Sequence, residues 1–239
     1  MAVQVALEQE IFFGSWDLTA QMNAFQEALE TEELDASVFK NTTKIFEPGL
    51  KGYGISGEGF WAGGDDAIDD VLFDQQRTSD IPLTIALDDG SVGSPAKSVL
   101  GMIASYQLGE AHGNLLKVSY AVASTDSRPV RGTILHNASA SGNVTGTALQ
   151  LGAVSATQSV YGVLHVFSGS GSFIVKIQSS SDEAFTSPND RITFATVATG
   201  TARTYEWSVL GPGAITDTWW RITATNPNTR DFAVIAAIR

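Results

Sequence analysis

From residue 80 onward, short apolar segments alternate with turn residues, and this pattern restricts the fold more than any other feature of the sequence. The segment 81–87 ends at Asp88-Asp-Gly90, which is a hairpin signal, and further strands are predicted at 99–107, 115–123 and 130–136. Six more strands are predicted at 160–167, 172–179, 191–197, 204–210, 219–225 and 232–238. Regularly spaced short strands are typical of an antiparallel sandwich or jelly roll, so the chain is predicted to be mainly β.

The composition changes near the middle of the chain. Residues 137–146 are rich in Ser, Gly and Asn, as linkers are. The sequence therefore predicts a first β domain over 1–140, a linker over 141–148 and a C-terminal β-sandwich domain over 149–239. A length of 239 residues suits one large domain or two small ones.

Two segments in the first half carry helical signals. Leu18, Met22, Phe25 and Leu29 form a helical stripe in a segment rich in helix formers, although Phe25, Glu27 and Leu29 also alternate as in a strand. The residue pattern alone favours a helix over 22–34. A second helix is predicted over 64–76, with Asp65 as its cap and Ile68, Val71 and Leu72 as its buried stripe.

The negative charge is concentrated in the first 100 residues. They hold 18 Asp and Glu against five Lys and Arg, a net of −13, whereas the rest of the chain has a net of +1. A protein that reads duplex DNA needs a basic surface to offset the phosphates, so the charge argues against that class. An acidic surface that aids solubility and an acidic surface that must not hold nucleic acid both remain open.

No residue set in the sequence has the pattern of a catalytic or metal site. The chain has no Cys, its three His residues lie far apart, and Asp65, Asp66, Asp69 and Asp70 lack the spacing of a calcium loop. We therefore predict no enzyme activity, cofactor, metal site or catalytic residue. Paired carboxylates leave an acidic hydrolase as a third candidate, but nothing selects a catalytic pair. No apolar run is long enough for a membrane helix, and the first residues lack the features of a secretion signal.

Trp219 and Trp220 are the candidate surface aromatics. Adjacent residues of a strand point to opposite faces, so only one of the two can lie in the core. The other is predicted at an interface or, less favoured, in a sugar-stacking platform with Trp207. His165, inside an apolar strand, is predicted to be a partly buried histidine with satisfied hydrogen bonds rather than a ligand.

The order of these features resembles the major tail tube proteins of long, non-contractile-tailed bacteriophages. The resemblance covers about residues 5–140, and the second half looks like a β domain appended to some tail proteins. In the first half it is carried by residues 34–39, 44–50 and 54–58, the acidic helix 65–73, the strand 81–87, Lys117 and residues 130–134, and in the second by 163–166, 176–179 and 219–221.

The resemblance implies a β-sandwich or split barrel flanked by one helix. It implies stacked hexameric rings whose strands form a continuous inner barrel around the passing genome. It also implies that residues 22–34 form a long strand of this barrel, and we adopt the strand over the helix. The expected partners are further copies of the chain, the tape measure, the tail terminator and the baseplate or distal tail proteins. The expected location is the virion tail, assembled in the host cytoplasm.

An acidic lumen fits this picture on physical grounds, because each Lys or Arg contact to a phosphate would hold the moving DNA. The DNA is expected to pass through the lumen without specific binding. If residues 22–34 and 52–61 line the pore, alternation makes Glu30, Glu32 and Glu58 the lumen candidates. Residues 149–239 are expected to decorate the outside of the tube. The alternative is a carbohydrate-binding adhesion or decoration module that uses Trp219 or Trp220 with nearby polar groups.

Overall fold

The computed structural model describes residues 9–38, 42–125, 128–225 and 228–239. These residues form sixteen strands and one α-helix, so the prediction of a mainly β protein with one helix is confirmed. In chain order the elements are β1 Glu10–Phe13, β2 Trp16–Asp17, β3 Met22–Asp35, β4 Phe46–Phe60, α1 Ile68–Asp74, β5 Ile81–Ala86, β6 Pro95–Gly109, β7 Lys117–Ser124, β8 Val130–Ala140, β9 Val144–Thr145, β10 Leu149–Gln150, β11 Val160–Gly169, β12 Ile174–Ser180, β13 Asn189–Thr193, β14 Thr204–Leu210, β15 Trp219–Thr225 and β16 Arg230–Ile238. Single 3-10 turns lie at Thr19–Gln21, Gln75–Arg77 and Asp88–Gly90.

The contacts divide the chain into two compact units. Unit 1 contains residues 1–20, 81–99 and 130–239, and unit 2 contains residues 21–80 and 100–129. This division differs from the predicted one, because unit 2 is an insertion into unit 1 and not a segment that precedes it. The predicted linker 141–148 holds β9, which pairs with β15 within unit 1.

Unit 1 is an antiparallel β-sandwich. One sheet has the order β14-β11-β16-β8-β6-β5-β1-β2, where β6 contributes only its first five residues, and the other has five strands in the order β10-β15-β12-β13 with β9 beside β15. Apolar side chains of both sheets, among them Leu164, Phe232, Val175 and Trp220, meet in one buried core. The alternation of buried and exposed residues along β12 and β15 follows from this packing.

Unit 2 is a four-stranded antiparallel sheet in the order β3-β4-β7-β6, with β6 represented by residues 100–109. Residues 22–35 are a strand, so the helix favoured by the residue pattern is wrong and the strand implied by the resemblance is right. The helix α1 buries Ile68, Val71 and Leu72 as predicted, but it begins later than predicted. Its N-cap position is Ala67, so Asp65 is not the cap.

Candidate assembly and lumen surface

The sheet of unit 2 has two faces of opposite character. One face, here called the covered face, is built from buried residues of three strands, among them Tyr53, Ile55, Tyr120 and Val122. Helix α1 lies against this face: the Tyr106 hydroxyl donates to the Asp69 carboxylate, and a Cβ on Gly59 would lie 2.8 Å from Cδ1 of Ile68. Burial, with this hydrogen bond, raises the pKa of Tyr106 to about 12.

The opposite face, here called the uncovered face, carries mainly small and polar side chains, with Phe60 and Met102 as the large apolar ones. Strand pairing places Ala24 opposite Glu58, Gln26 opposite Ser56 and Glu30 opposite Gly52. Residues that face each other across an antiparallel pair lie on the same side of the sheet, so this set shares one face. The residues of the uncovered face are Ala24, Gln26, Ala28, Glu30, Gly52, Gly54, Ser56, Glu58, Phe60, Met102, Ser105, Gln107, Gly109, Lys117, Ser119, Ala121 and Ala123.

Glycines explain why β4 can lie so close to its neighbours. A Cβ at Gly57 would lie 2.7 Å from the ring of Tyr120, and one at Gly59 would lie 2.4 Å from the Gln21 carbonyl oxygen. Real Cβ atoms do not approach other atoms so closely. Gly57 and Gly59 therefore allow the close packing of the covered face.

The three predicted lumen residues are all exposed, but their surroundings differ. Glu30 and Glu58 both lie on the uncovered face. Glu32 lies where the register between β3 and β4 shifts, and its carboxylate accepts a hydrogen bond from the Leu50 N–H at 3.4 Å. Alternation along the strands therefore agrees with the placement of Glu30 and Glu58 on one face, whereas the bulge at Glu32 has no signal in the sequence.

Cations are scarce on the uncovered face. Lys117 is the one Lys or Arg among the residues assigned to it above, and its Nζ lies 3.8 Å from a carboxylate oxygen of Glu58 and 3.9 Å from one of Glu110. These exposed pairs contribute little stability. They do place two carboxylates around the single ammonium, so the face keeps a negative balance.

The hairpin of β3 and β4 exposes apolar side chains along its outer half. Leu29 is 58% exposed, Leu50 is 82% exposed, and Leu34, Ile45 and Phe46 are also exposed. Within unit 2, β3 pairs only with β4 and therefore forms one edge of the sheet. A long edge strand with exposed apolar residues is a surface on which another strand can pair. The residue pattern did not predict this feature, since it assigned Leu29 to the buried stripe of a helix.

The two candidate aromatics lie on opposite faces of β15. Trp220 is fully buried in the core of unit 1, and its Nε1–H donates to the Gly152 carbonyl at 2.9 Å. Trp219 is half-buried on the other side of the strand. Trp220 therefore has no exposed ring surface in the chain, and of this pair only Trp219 remains as a surface candidate.

No metal-binding cluster appears among the described residues. They contain no group of three or more His, Asp or Glu residues placed to hold a metal ion, and no helix among them is long and apolar enough to span a membrane. A shallow depression of about 290 Å³ lies over β3, β4 and β7 and is open to solvent. The side chains that line it include the carboxylate of Glu58 and the hydroxyls of Ser56 and Ser119.

No model of a protein family matches the chain, and no curated protein matches it. Solved structures do show similarity. A protein of the virion of a native gene transfer agent particle is 19% identical with a TM-score of 0.40, over 52% of this chain and 96% of that one. The SPP1 tail tube is 13% identical with a TM-score of 0.43, over 54% of this chain and 78% of that one. The Dit protein of SPP1, a hub of the adsorption apparatus, is 12% identical with a TM-score of 0.38, over 97% of this chain and 99% of that one.

Proposed function

We propose that this chain is a structural subunit of a phage tail, which assembles side by side into hexameric rings that stack into a tube. The observation that carries the proposal is the sheet of unit 2, which has an even number of strands and an open edge on each side. β3 forms one edge and residues 100–109 of β6 form the other.

The direction of the edge strands supports ring closure. Each neighbouring pair of this sheet is antiparallel, so β3 and β6 run in opposite directions. When a copy is placed beside the first by rotation about an axis, its β6 meets β3 as an antiparallel partner and the sheet continues without a break. A head-to-tail contact of this kind closes into a ring when the rotation divides a full turn, and closure removes the exposed edges.

The two faces of the sheet support one orientation of the ring. Helix α1 covers one face and leaves the uncovered face without a second layer. A ring formed from these sheets would turn its helices outward and its uncovered face inward. The lumen would then carry small residues, Glu30 and Glu58, the apolar side chains of Phe60 and Met102, and a single ammonium already beside two carboxylates.

Such a surface suits the passage of DNA. Retention of duplex DNA by a protein rises with the number of phosphates that Lys and Arg neutralise. The uncovered face offers few such contacts, and its carboxylates repel phosphates, so the genome would pass without specific binding. We propose no catalytic step and no cofactor in this function.

The remaining assignments follow from the same role. The partners would be further copies of the chain, the tape measure, the tail terminator and the baseplate or distal tail proteins, and assembly would take place in the host cytoplasm before the virion tail is complete. Residues 149–239 would serve as the decoration domain. The alternative, a carbohydrate-binding module, depends on Trp219 and the face of the sheet around it.

The first test is negative-stain electron microscopy of the purified chain at rising concentration. Rings or hollow tubes with six-fold averages are expected. A field of small particles that never polymerise, even with tail initiator components, would overturn the proposal.

A cross-linking experiment tests the strand contact itself. The chain has no Cys, so a pair introduced as Gln26→Cys on β3 and Gln107→Cys on β6 is unique. Both side chains are exposed on the uncovered face, where residues directly opposite in neighbouring strands have Cβ atoms about 5 Å apart. Different registers between two copies would bring different residues opposite each other. Cys is therefore also introduced at Ala24, Ala28 and Ser105, and each alternative pair is tested in the same way.

Mild oxidation of the paired variant is expected to give a ladder that ends at the hexamer on a non-reducing gel. Each single variant is the matched control and can form dimers only. A ladder that is absent for every pair, while electron microscopy still shows rings, would rule out pairing of β3 with β6 and require another interface.

A further inference from the structure

The five-stranded sheet of unit 1 turns one face toward solvent. Alternation along β15 places Trp219, Arg221 and Thr223 on this outer face, while Trp220 and Ile222 enter the core. Lys176 and Gln178 of β12 stand opposite Thr223 and Arg221 in the antiparallel pair. The outer face therefore combines one aromatic ring with hydrogen-bonding side chains.

A chain of polar contacts runs across this face. The Lys176 ammonium donates to the Asp190 carboxylate at 2.6 Å, and the Gln178 amide donates to its other oxygen at 2.7 Å. The Gln178 carbonyl oxygen in turn accepts the Nε–H of Arg221 at 3.2 Å. Lys176 thus balances the charge of Asp190, and the guanidinium of Arg221 has no carboxylate partner among the described residues.

Arg221 is held in place by a ring beneath it. The guanidinium carbon lies 4.1 Å from the centre of the Phe185 ring, a stacked cation–π contact. Its Nε–H is bonded to Gln178, so the two terminal NH₂ groups are aimed away with no hydrogen bond to any described residue. The edge of the guanidinium formed by the two NH₂ groups can donate two hydrogen bonds to one oxyanion. This edge is held in position by the Phe185 ring and Gln178.

Phe185, whose ring lies beneath Arg221, has a strained backbone conformation. Phe185 has a φ of 52°, in the left-handed region that bulky residues rarely adopt, and it is nevertheless buried. Strain of this kind is concentrated at functional sites. The Asp182 carboxylate accepts hydrogen bonds from Ser180 and Thr186, and no hydrogen bond joins it to Arg221.

We infer that the outer face binds an anionic saccharide, with Trp219 against the apolar face of a sugar ring and Arg221 on its carboxylate or phosphate. Trp219 and Arg221 are two residues apart on one strand, with Cα atoms about 7 Å apart, so that one saccharide can contact both side chains. Aromatic faces bind the C–H face of sugars, and the guanidinium fork fits planar oxyanions. The site stands independently of ring formation.

The test is calorimetric titration of the full chain with sialyllactose, galactose 6-phosphate and uncharged lactose. A dissociation constant of about 1 mM is expected for an acidic saccharide, with lactose at least about tenfold weaker. Arg221→Gln is expected to weaken acidic binding about tenfold or more while lactose binding stays unchanged, because charge-assisted hydrogen bonds are lost. Trp219→Ala is expected to weaken all three. The sialyllactose and galactose 6-phosphate arms decide between a carboxylate and a phosphate.

Arg131→Gln is the matched control, since it removes one exposed positive charge from β8 elsewhere in unit 1. It should bind like the unmodified chain. Arg221→Lys retains the charge without the fork and should bind only weakly. Thermal unfolding by circular dichroism verifies that each variant folds. Failure of both acidic saccharides to bind, lactose binding as tightly as they do, or an Arg221→Gln variant that binds like the unmodified chain would each overturn the inference.

Discussion

His165 is a fully buried histidine with a partner for each ring nitrogen. Its Nδ1 lies 2.6 Å from the Gly14 carbonyl oxygen, and its Nε2 lies 2.8 Å from the Thr84 hydroxyl, which also contacts Ser98. A carbonyl can only accept, so Nδ1 carries the proton and Nε2 accepts from Thr84. Neutral imidazole satisfies this arrangement, and burial lowers the pKa of His165 to about 4.

The lowered pKa predicts that acid destabilises the protein. In the unfolded chain the imidazole binds a proton below its ordinary pKa of 6.5, whereas the folded chain does so only near pH 4. The contribution of His165 is therefore complete above pH 6.5 and is lost as the pH falls toward 4, by about 3 kcal/mol. Denaturant unfolding at a series of pH values measures it.

The variant His165→Gln keeps a donor and an acceptor but cannot titrate, so it should flatten the pH dependence between 6.5 and 4. His112→Gln removes an exposed histidine and is the control. A slope unchanged by His165→Gln, together with a slope abolished by His112→Gln, would contradict the assignment.

Single residues were predictable where a local pattern determined them. The apolar strand around His165 indicated a satisfied histidine, although it is fully buried where partial burial was expected, and alternation correctly allowed only one of Trp219 and Trp220 in the core. Arg230 gave no such signal: it is fully buried, and its terminal groups donate to the carbonyls of Gly171 and Thr201. Its partners come from distant loops, which no sequence period brings together.

At the scale of elements, β3 shows why residue pattern alone failed. Its Ala, Leu, Gln and Glu residues are good helix formers, yet all but a few of its residues pair with β4. On its covered side, the Glu27 carboxylate accepts a hydrogen bond from the Tyr53 hydroxyl at 3.0 Å. Pairing along the whole hairpin outweighs intrinsic preferences of a few tenths of a kcal/mol per residue. The alternation of Phe25, Glu27 and Leu29 allowed a strand, and the family resemblance decided for it.

The outer half of this hairpin should change its protection when copies assemble. Residues 29–35 and 46–51 are largely exposed and lack a second layer, so their amides should exchange rapidly in the isolated chain. In rings the open edge of β3 gains a partner, and exchange of 24–31 should slow by an order of magnitude or more. Hydrogen–deuterium exchange with mass spectrometry, before and after assembly, measures this. The buried strand β16 is the internal control, and equal exchange of β3 in both states would contradict edge pairing.

At the scale of the whole molecule, the fold class was predictable and the division of the chain was not. Turn signals and alternation predicted an antiparallel β protein, and the sandwich of unit 1 includes most of the strands expected after residue 149. The units are nested, because β6 starts in unit 1 and ends in unit 2. A strand that serves two units has no break in composition, whereas the Ser- and Gly-rich stretch 137–146, which suggested a boundary, contains paired strand residues instead.

The charge of the uncovered face can be tested in the assembled tube. The triple variant Glu30→Lys, Glu32→Lys and Glu58→Lys changes the net charge by six positive units per chain on exposed positions of the hairpin. Rings should still form, since none of the three side chains is buried. Each added cation near a phosphate steepens the dependence of DNA affinity on salt, so DNA should be retained at low salt and released at high salt. Filter binding of duplex DNA to assembled tubes across a salt series measures this, and genome delivery by virions built with the variant should stall.

The matched control reverses Asp65, Asp74 and Glu183, which are exposed and lie outside the uncovered face, by the same total charge. If a general gain of positive charge were sufficient, both triple variants would retain DNA alike. If the uncovered face lines the lumen, DNA held by the hairpin variant should be protected from added nuclease, whereas any DNA held by the control should be digested. Normal genome delivery by intact tails of the hairpin variant would show that these carboxylates do not face the moving DNA, and the lumen would then have to be sought on another surface of the subunit.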